Sequence, residues 1–363
     1  MTRKKIPAVT VVLPTYDRAH YLRQAIRSAL AQKFDDLIVS IGDNGPSSDA
    51  EKIVKEFDDP RIEYIKHPTN LGAQGNWLTL IERARTPLVA TLHDDDVWHT
   101  DFLQRLVPPM LADSDLAMSF GDFDLIDGSG RRLSTATAEL SAKTRRDRLQ
   151  EGRIDADRDL ALRLVAVWNA PNPAICAVLR RDAVLATEFP SEAVPLYDLW
   201  LSYQFLRSGA PVYYLRSRLT DYRLHSTSAT SKGFSQAEDY IFERILDENA
   251  GAGPVLDEIR RYWAMIRWGR AMALMKHDAS EDDATTDRAQ LIERSRHEFR
   301  QAAPHQTIVR AAFARIAGSG NLGWSLLQRL IRCQTAMLGH PLRHSARSFT
   351  LLSRTRKENG LMR

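Results

Sequence analysis

A chain of 363 residues, 44 % hydrophobic and 26 % charged, has ample apolar material for a buried core and suits one large domain with an appendage or two smaller domains. Its two cysteines, Cys176 and Cys333, exclude a disulfide framework and a cysteine-based zinc site; no uncharged apolar run approaches the roughly 20 residues that span a bilayer, and no secretory apolar core follows Met1–Lys5, so a cytoplasmic location is expected. The net charge of +4 hides an asymmetry: from Gln301 onward ten Lys and Arg face one acidic residue, a local balance of +9, and the first 300 residues carry −5.

The first 120 residues alternate strand and helix signals. Val9–Leu13 is a β-branched apolar run that ends at Pro14 and reads as a buried strand. Asp17 is placed to cap a helix whose Tyr21, Leu22, Ala25, Ile26, Ala29 and Leu30 share one face. Leu37–Ile41 is a second strand, closed by Gly42-Asp43-Asn44-Gly45-Pro46; Ser48 with Glu51 fits a capping box for the next helix. Ile62–Ile65 is a short third strand, a helix runs through Trp77, Leu78, Ile81 and Ala84, and Leu88–Leu92 is the fourth strand. This alternation predicts a mostly parallel sheet covered on both faces by helices, with ligands beyond the carboxyl ends of the strands. Pro14–Arg18, Gly42–Gly45 and His93–Trp98 each follow a strand and should meet at that edge.

The middle is less regular. Arg131–Arg153 is polar and weakly periodic and reads as a loop or mobile insertion. A helix around Leu160–Val167, a loop at Asn169–Pro173, a strand at Ala174–Leu179 and a helix at Leu199–Leu206 with Gly209 as its stop follow. Val212–Leu215 and Leu219–Leu224 look extended. After about Ser235 the pattern is helical: Ile241–Leu246, a break at Gly251–Gly253, a long helix through Val255, Ile259, Trp263, Ile266 and Leu274, a polar linker at Asp278–Asp287, and further helices between Ile308 and Leu338. Aromatic residues are sparse in the basic tail, which argues against a nucleic-acid partner. The tail reads as a solvated basic helix or one resting on an anionic membrane surface, a peripheral contact at the inner face of the membrane.

Asp94-Asp95-Asp96 is the strongest local signal. An arbitrary acidic trio is more often a surface turn, but here it sits between an apolar strand and Trp98. Two like charges about 4 Å apart repel by roughly 4 kcal/mol at an effective dielectric near 20, so several fixed at a strand end call for a cation. Hard oxygen ligands suit Mg²⁺ or Mn²⁺, which also bind substrate phosphates; spacing alone does not say which Asp ligates. Tyr16 is placed to stack on a nucleobase and Asp43 to accept hydrogen bonds from a base or ribose, although each alone is more often a packing or turn residue. Asn70-Leu71-Gly72 with Asn76 reads equally as turn and cap chemistry.

In order and spacing, Pro14-Thr15-Tyr16-Asp17-Arg18, Gly42-Asp43-Asn44-Gly45, Asn70-Leu71-Gly72-Ala73-Gln74-Gly75-Asn76 and Leu92-His93-Asp94-Asp95-Asp96-Val97-Trp98 resemble family 2 glycosyltransferases with the GT-A fold. Tyr197-Asp198-Leu199-Trp200-Leu201 and Tyr222-Arg223-Leu224-His225 are similar to two later segments of that family. The likeness covers about residues 7–235. It implies an α/β GT-A domain over 1–235, a helical C-terminal region over 236–363, and transfer of a sugar with inversion from a nucleotide diphosphate-sugar to a hydroxyl of a saccharide or lipid-linked acceptor. Polysaccharide or glycoconjugate biosynthesis is the implied setting. It further implies a donor site of Pro14, Thr15, Tyr16, Asp43, Asn70, Gly72 and Asp94, with Arg223 on the diphosphate, Asp95, Asp96 and His225 on Mg²⁺ or Mn²⁺, and Asp198 as general base.

The chain departs from the family pattern in three places. Many members carry an acidic pair where Pro195 and Leu196 stand, so Asp198 is a substitute base or the base lies elsewhere, with Glu192 the nearest other carboxylate. Gly42 stands where an additional aspartate is common, and His93 where the loop is often acidic. These departures sustain a rival reading as a nucleotide-sugar-binding scaffold without catalysis. A nucleotidyltransferase of related topology is a weaker rival, since Pro14–Arg18 contains no glycine for a triphosphate loop.

Overall fold

A computed structural model describes residues 6–194, 196–225, 235–251 and 253–279, with 293, 295, 297, 298, 300, 301 and 304. The chain forms two compact units, Met1–Asp247 and Glu248–Arg363.

The first unit is built on one nine-stranded sheet. Strands β1 (Val9–Thr15), β2 (Leu37–Asp43), β3 (Ile62–Lys66) and β4 (Leu88–Thr91) are parallel in the order β3-β2-β1-β4. Their crossovers are α1 (Ala19–Leu30), α2 (Asp49–Lys55) and α3 (Gly72–Arg83). β1 is flanked on both edges and covered on both faces, which is why Val9, Val11, Val12 and Leu13 form a continuous apolar run with no exposure. The chain leaves β1 toward β2 on one side and returns to β4 on the other. The carboxyl ends of β1 and β4 therefore define a topological switch point, where the diverging loops open a crevice.

Beyond β4 the sheet is mixed. β8 (Ala177–Arg180) inserts antiparallel between β4 and β6 (Met118–Asp127). β6 runs parallel to β9 (Val212–Leu224), with register shifts around Asp122. β5 (Val97–Trp98) and β7 (Gly152–Ile154) pair antiparallel with β9. Parallel pairing thus prevails in the β3-β2-β1-β4 half, and the other half departs from it. The two extended segments expected at 212–215 and 219–224 are one strand, and exposed Arg216 and Arg218 mark its irregular middle. β6 escapes notice in the sequence because Ser119, Gly121, Asp122 and Asp124 interrupt its apolar residues, yet nine of its ten positions are buried.

The expectation of a loop over 131–153 is corrected: α5 (Ser134–Lys143) and β7 lie there. Their pattern is weak because α5 buries only Thr137 and rests partly buried Leu133, Ala136 and Leu140 on the core. Neither expected cap forms. Asp17 has φ 52° and Arg18 is the N-cap of α1, without a side-chain cap bond. Ser48 is the N-cap of α2 but makes no side-chain cap bond, and Glu51 pairs with Lys55 at 2.7 Å instead.

The helices α4 (Phe102–Ala112), α6 (Arg158–Leu162), α7 (Arg181–Leu185), α8 (Tyr197–Arg207) and α9 (Ser235–Glu248) complete this part of the chain. In the second unit α10 (Pro254–Ala279) buries Val255, Leu256, Ile259, Ala264 and Ala271. α10 enters the segment expected as a polar linker; the rest of that linker, the helices expected at 308–338 and nearly all of the basic tail lie outside the described residues. No helix among the described residues is long and apolar enough to cross a membrane.

Candidate active site

The switch point brings the first and fourth expected segments together. The Thr15 hydroxyl at the end of β1 donates to Asp94 Oδ2 at 2.7 Å, and the Tyr16 amide donates to the same oxygen at 3.2 Å. Arg18 Nη1 donates to Asp94 Oδ1 at 3.0 Å and to Asp95 Oδ2 at 2.6 Å. His225 Nε2 lies 2.9 Å from Asp95 Oδ2. The Arg223 amide donates to Asp96 Oδ1 at 2.9 Å, while Asp96 Oδ2 is buried with no partner. Residues far apart in sequence thus converge on three carboxylates, none of them more than 7 % exposed.

Burial and proximity split these three acids. Burial, and then the charge of Asp95, push the Asp94 carboxyl up to about 6, against the pull of Arg18 and Thr15. Burial also raises Asp95, but the His225 hydrogen bond and the Arg18 charge outweigh it and hold Asp95 below its ordinary value. Burial and the neighbouring Asp95 hold Asp96 well above its ordinary value. Burial lowers His93, which keeps its imidazole neutral and able to ligate.

The donor set fits a divalent cation. One ring nitrogen of His93 and one oxygen each of Asp95 and Asp96 lie within 4.8 Å of one another, and the partnerless Asp96 Oδ2 is the orphan that a cation would satisfy. A nitrogen with two carboxylate oxygens suits Mn²⁺, and Mg²⁺ with retained waters. His93 groups with Asp95 and Asp96, and His225 stands against Asp95 Oδ2 at 2.9 Å. Arg223 is 2 % exposed and its guanidinium is spent inward, on Asp95 O at 2.7 Å, Gln24 Oε1 at 3.0 Å and the Tyr21 ring at 4.6 Å. These contacts tie Arg223 to the acidic turn. The cation at the front is Arg18, with a side chain 28 % exposed. The residue lies inside a quoted motif, but nothing in its local pattern assigns it to Asp94 and Asp95.

The second and third segments form the neighbouring wall. Asp43 is 1 % exposed; Gly45 N donates to Oδ1 at 2.7 Å, and Tyr64 Oη and Lys66 Nζ donate to Oδ2 at 2.7 and 2.9 Å. Lys66 also donates to the carbonyls of Gly45 and Ser47, so all three of its N–H bonds staple this loop. Asn44 joins the loop to the next one, accepting from Leu71 N at 3.1 Å and donating to Gly72 O at 2.9 Å. Asn70 accepts from the Gly72 amide at 2.8 Å, and Gly72 has φ +74°, which favours glycine. Pro14 lies beside Gly42 in the β1–β2 register, and Tyr16 stands 51 % exposed above it. Gly42 lacks a side chain for a physical reason: a Cβ there would lie 2.1 Å from Asn76 Oδ1, which is held by His67 Nε2 at 2.9 Å.

Asp198 lies in the first turn of α8, half-buried, and burial raises its carboxyl. Its neighbour Tyr197 has its hydroxyl 3.3 Å from His93 Nε2, so the start of α8 abuts the acidic turn. Glu192 is exposed and hydrogen-bonded to Ser191.

A helix-flanked mixed sheet with an acidic turn at the switch point is the architecture of a GT-A glycosyltransferase. Residues 10–183 of the chain match the model of glycosyl transferase family 2. It is 26 % identical over 264 residues to an uncharacterized glycosyltransferase of Nostoc sp., covering 67 % of this chain and 77 % of that protein. It is 26 % identical over 121 residues to the UDP-Glc:alpha-D-GlcNAc-diphosphoundecaprenol beta-1,3-glucosyltransferase WfgD of Escherichia coli, covering 33 % of this chain and 47 % of that protein. Among solved structures, TarS 1–349 of S. aureus in complex with UDP-GlcNAc shares the fold, with a TM-score of 0.58 at 12 % identity over 90 % of this chain and 92 % of that one.

Proposed function

We propose that this enzyme transfers a sugar, with inversion at the anomeric carbon, from a nucleotide diphosphate-sugar to a hydroxyl of a saccharide or lipid-linked acceptor in polysaccharide or glycoconjugate assembly. The observation that carries the reading is the convergence of Asp94, Asp95 and Asp96 with Thr15, Tyr16 and Arg18 at the switch point. Relatives add chemical direction: TarS is described with UDP-GlcNAc, and the name of WfgD specifies UDP-Glc and a diphosphoundecaprenol-linked acceptor.

In this reading Tyr16 stacks on the nucleobase and Thr15 and Asp94 face the ribose. Pro14, Asp43, Asn70 and Gly72 shape the nucleoside wall; Asp43 acts there through the loop it braces rather than by direct contact. His93, Asp95 and Asp96 would hold Mg²⁺ or Mn²⁺, with His225 orienting Asp95. A divalent cation there would supply positive charge against the charge that the leaving diphosphate gains. Asp198 takes the proton of the acceptor hydroxyl, and its raised affinity for a proton suits that task. Catalysis falls to residues 1–235 and a helical region to 236–363; the chain works in the cytoplasm, with the basic tail touching the inner membrane face.

Incubation with a panel of nucleotide-sugars, Mn²⁺ and lipid-linked acceptors tests this, with release of nucleoside diphosphate as readout. One donor should be turned over. Donor binding without transfer or hydrolysis favours the scaffold reading, and absence of any donor binding overturns both.

A further inference from the structure

Arg18 occupies the ground a cation needs. Its Nη1 lies 2.6 Å from Asp95 Oδ2 and 3.0 Å from Asp94 Oδ1, bridging the two acids from the open side. Both carboxylates are nearly fully buried, with side chains 9 % and 5 % exposed, whereas the Arg18 side chain is 28 % exposed. The acids are fixed by other partners: Thr15 and Tyr16 on Asp94, and His225 on Asp95. Arg18 is the most exposed charged member of the cluster, a long side chain at the N-cap of α1.

Resting on the proposed function, we infer that Arg18 is a resident counter-ion that competes with the divalent cation for Asp95 and, once displaced, grips the donor diphosphate. Asp95 Oδ2 already takes hydrogen bonds from Arg18 and His225, and a divalent cation would need lone pairs of the same carboxylate. The guanidinium and the ion also repel: a single against a double positive charge gives twice the energy of two unit charges at equal distance. The ion alone therefore binds weakly. A diphosphate changes the balance, because it offers Arg18 a planar, two-pronged anionic partner to replace the carboxylates. Cation and donor then bind cooperatively: each relieves the cost that Arg18 imposes on the other. Arg223 cannot serve in this way, since its guanidinium is buried against Asp95 O, Gln24 and Tyr21.

The test compares the full-length wild type with Arg18→Met and Arg18→Lys, using Mn²⁺ alone and then Mn²⁺ with UDP, GDP, CDP, ADP and dTDP. Free Mn²⁺ is followed by electron paramagnetic resonance, nucleotide by calorimetry, and folding by thermal melts. Arg18→Met should bind Mn²⁺ alone roughly ten-fold more tightly than the wild type, the equivalent of one modest ion pair. It should bind the preferred nucleoside diphosphate, with saturating Mn²⁺, roughly ten-fold more weakly. Arg18→Lys should fall between on both scales, because an ammonium cannot bridge as a guanidinium does. A residue that merely braces the fold would move both affinities in the same direction. Unchanged or weaker Mn²⁺ binding by Arg18→Met, with the wild type binding Mn²⁺ in the presence of a nucleotide, overturns the inference and leaves the proposed function standing. A wild type that takes up no Mn²⁺ with any of the nucleotides overturns the inference together with the Mn²⁺ site; a wild type that also binds no nucleotide overturns the proposed function.

Discussion

The hydroxyl of Tyr197 lies 3.3 Å from Nε2 of His93, joining the first turn of α8 to the acidic turn after β4 across 104 residues of sequence. Tyr197 also packs its ring on Trp77 of α3, with centroids 4.8 Å apart. One side chain thus connects the candidate cation ligands to the helix that carries Asp198.

Asp95 is the acid on which Arg18 and His225 converge. Asp95→Ala should abolish cation-dependent donor binding and reduce transfer by roughly 10²-fold or more, the scale of losing one preorganised charge-stabilising group. Calorimetric titration of donor with and without Mn²⁺ checks this; equal Mn²⁺ dependence in variant and wild type would remove Asp95 from the ligand set.

Asp198→Asn keeps the shape of the helix start but cannot accept a proton. Donor binding should be unchanged while transfer falls roughly 10²- to 10⁴-fold. A base works only when ionised, and burial raises the Asp198 carboxyl. The acid limb of the wild-type rate profile should therefore lie at higher pH than an ordinary carboxylate would give, with the rate increasing as pH rises through it. Transfer that persists in Asp198→Asn transfers the role to another group.

Gly42→Ala should destabilise the first unit by about 1–3 kcal/mol, since the new Cβ meets Asn76 Oδ1 at 2.1 Å. Asn76 is anchored through His67 and through its own bond to Gly42 O at 2.7 Å, so it cannot retreat freely. Gly42→Ala combined with Asn76→Ala should cost less than the sum of the two single changes. Urea midpoints of the four proteins give the coupling.

His99 and Asp221 form a pH-dependent tie between β9 and the residue after β5. Nε2 lies 3.1 Å from Asp221 Oδ1, and this hydrogen bond raises the imidazole above its ordinary value, with Asp124 helping and Arg132 opposing. A raised folded-state value means the stabilisation is complete below the unfolded value, about 6.5, and is lost as pH rises through the folded value. The melting-temperature gap between wild type and His99→Gln should be widest below pH ~6 and close at higher pH. A gap that is constant over this range would show that the pair acts without its charge.

Local pattern determined the parallel half of the sheet and the place where chemistry gathers. Apolar runs such as Val9–Leu13, punctuated by Pro14, Gly42 and Gly45, encode buried strands and the turns that end them, and the acidic trio after Leu92 announces a charge that must be met. Hydrophobic period and turn chemistry act over a few residues, so a single chain displays them. The tertiary structure alone decided which groups meet that charge. Arg18 reaches Asp94 and Asp95 over 76 and 77 residues, and Arg223 turns inward on a carbonyl 128 residues away. His93 joins Asp95 and Asp96, while His225 braces Asp95 from β9's end. The pairing of β1 with β4 and of β5 with β9 sets these choices, because long side chains of like charge are interchangeable in sequence and become distinct only when the packed sheet fixes their reach.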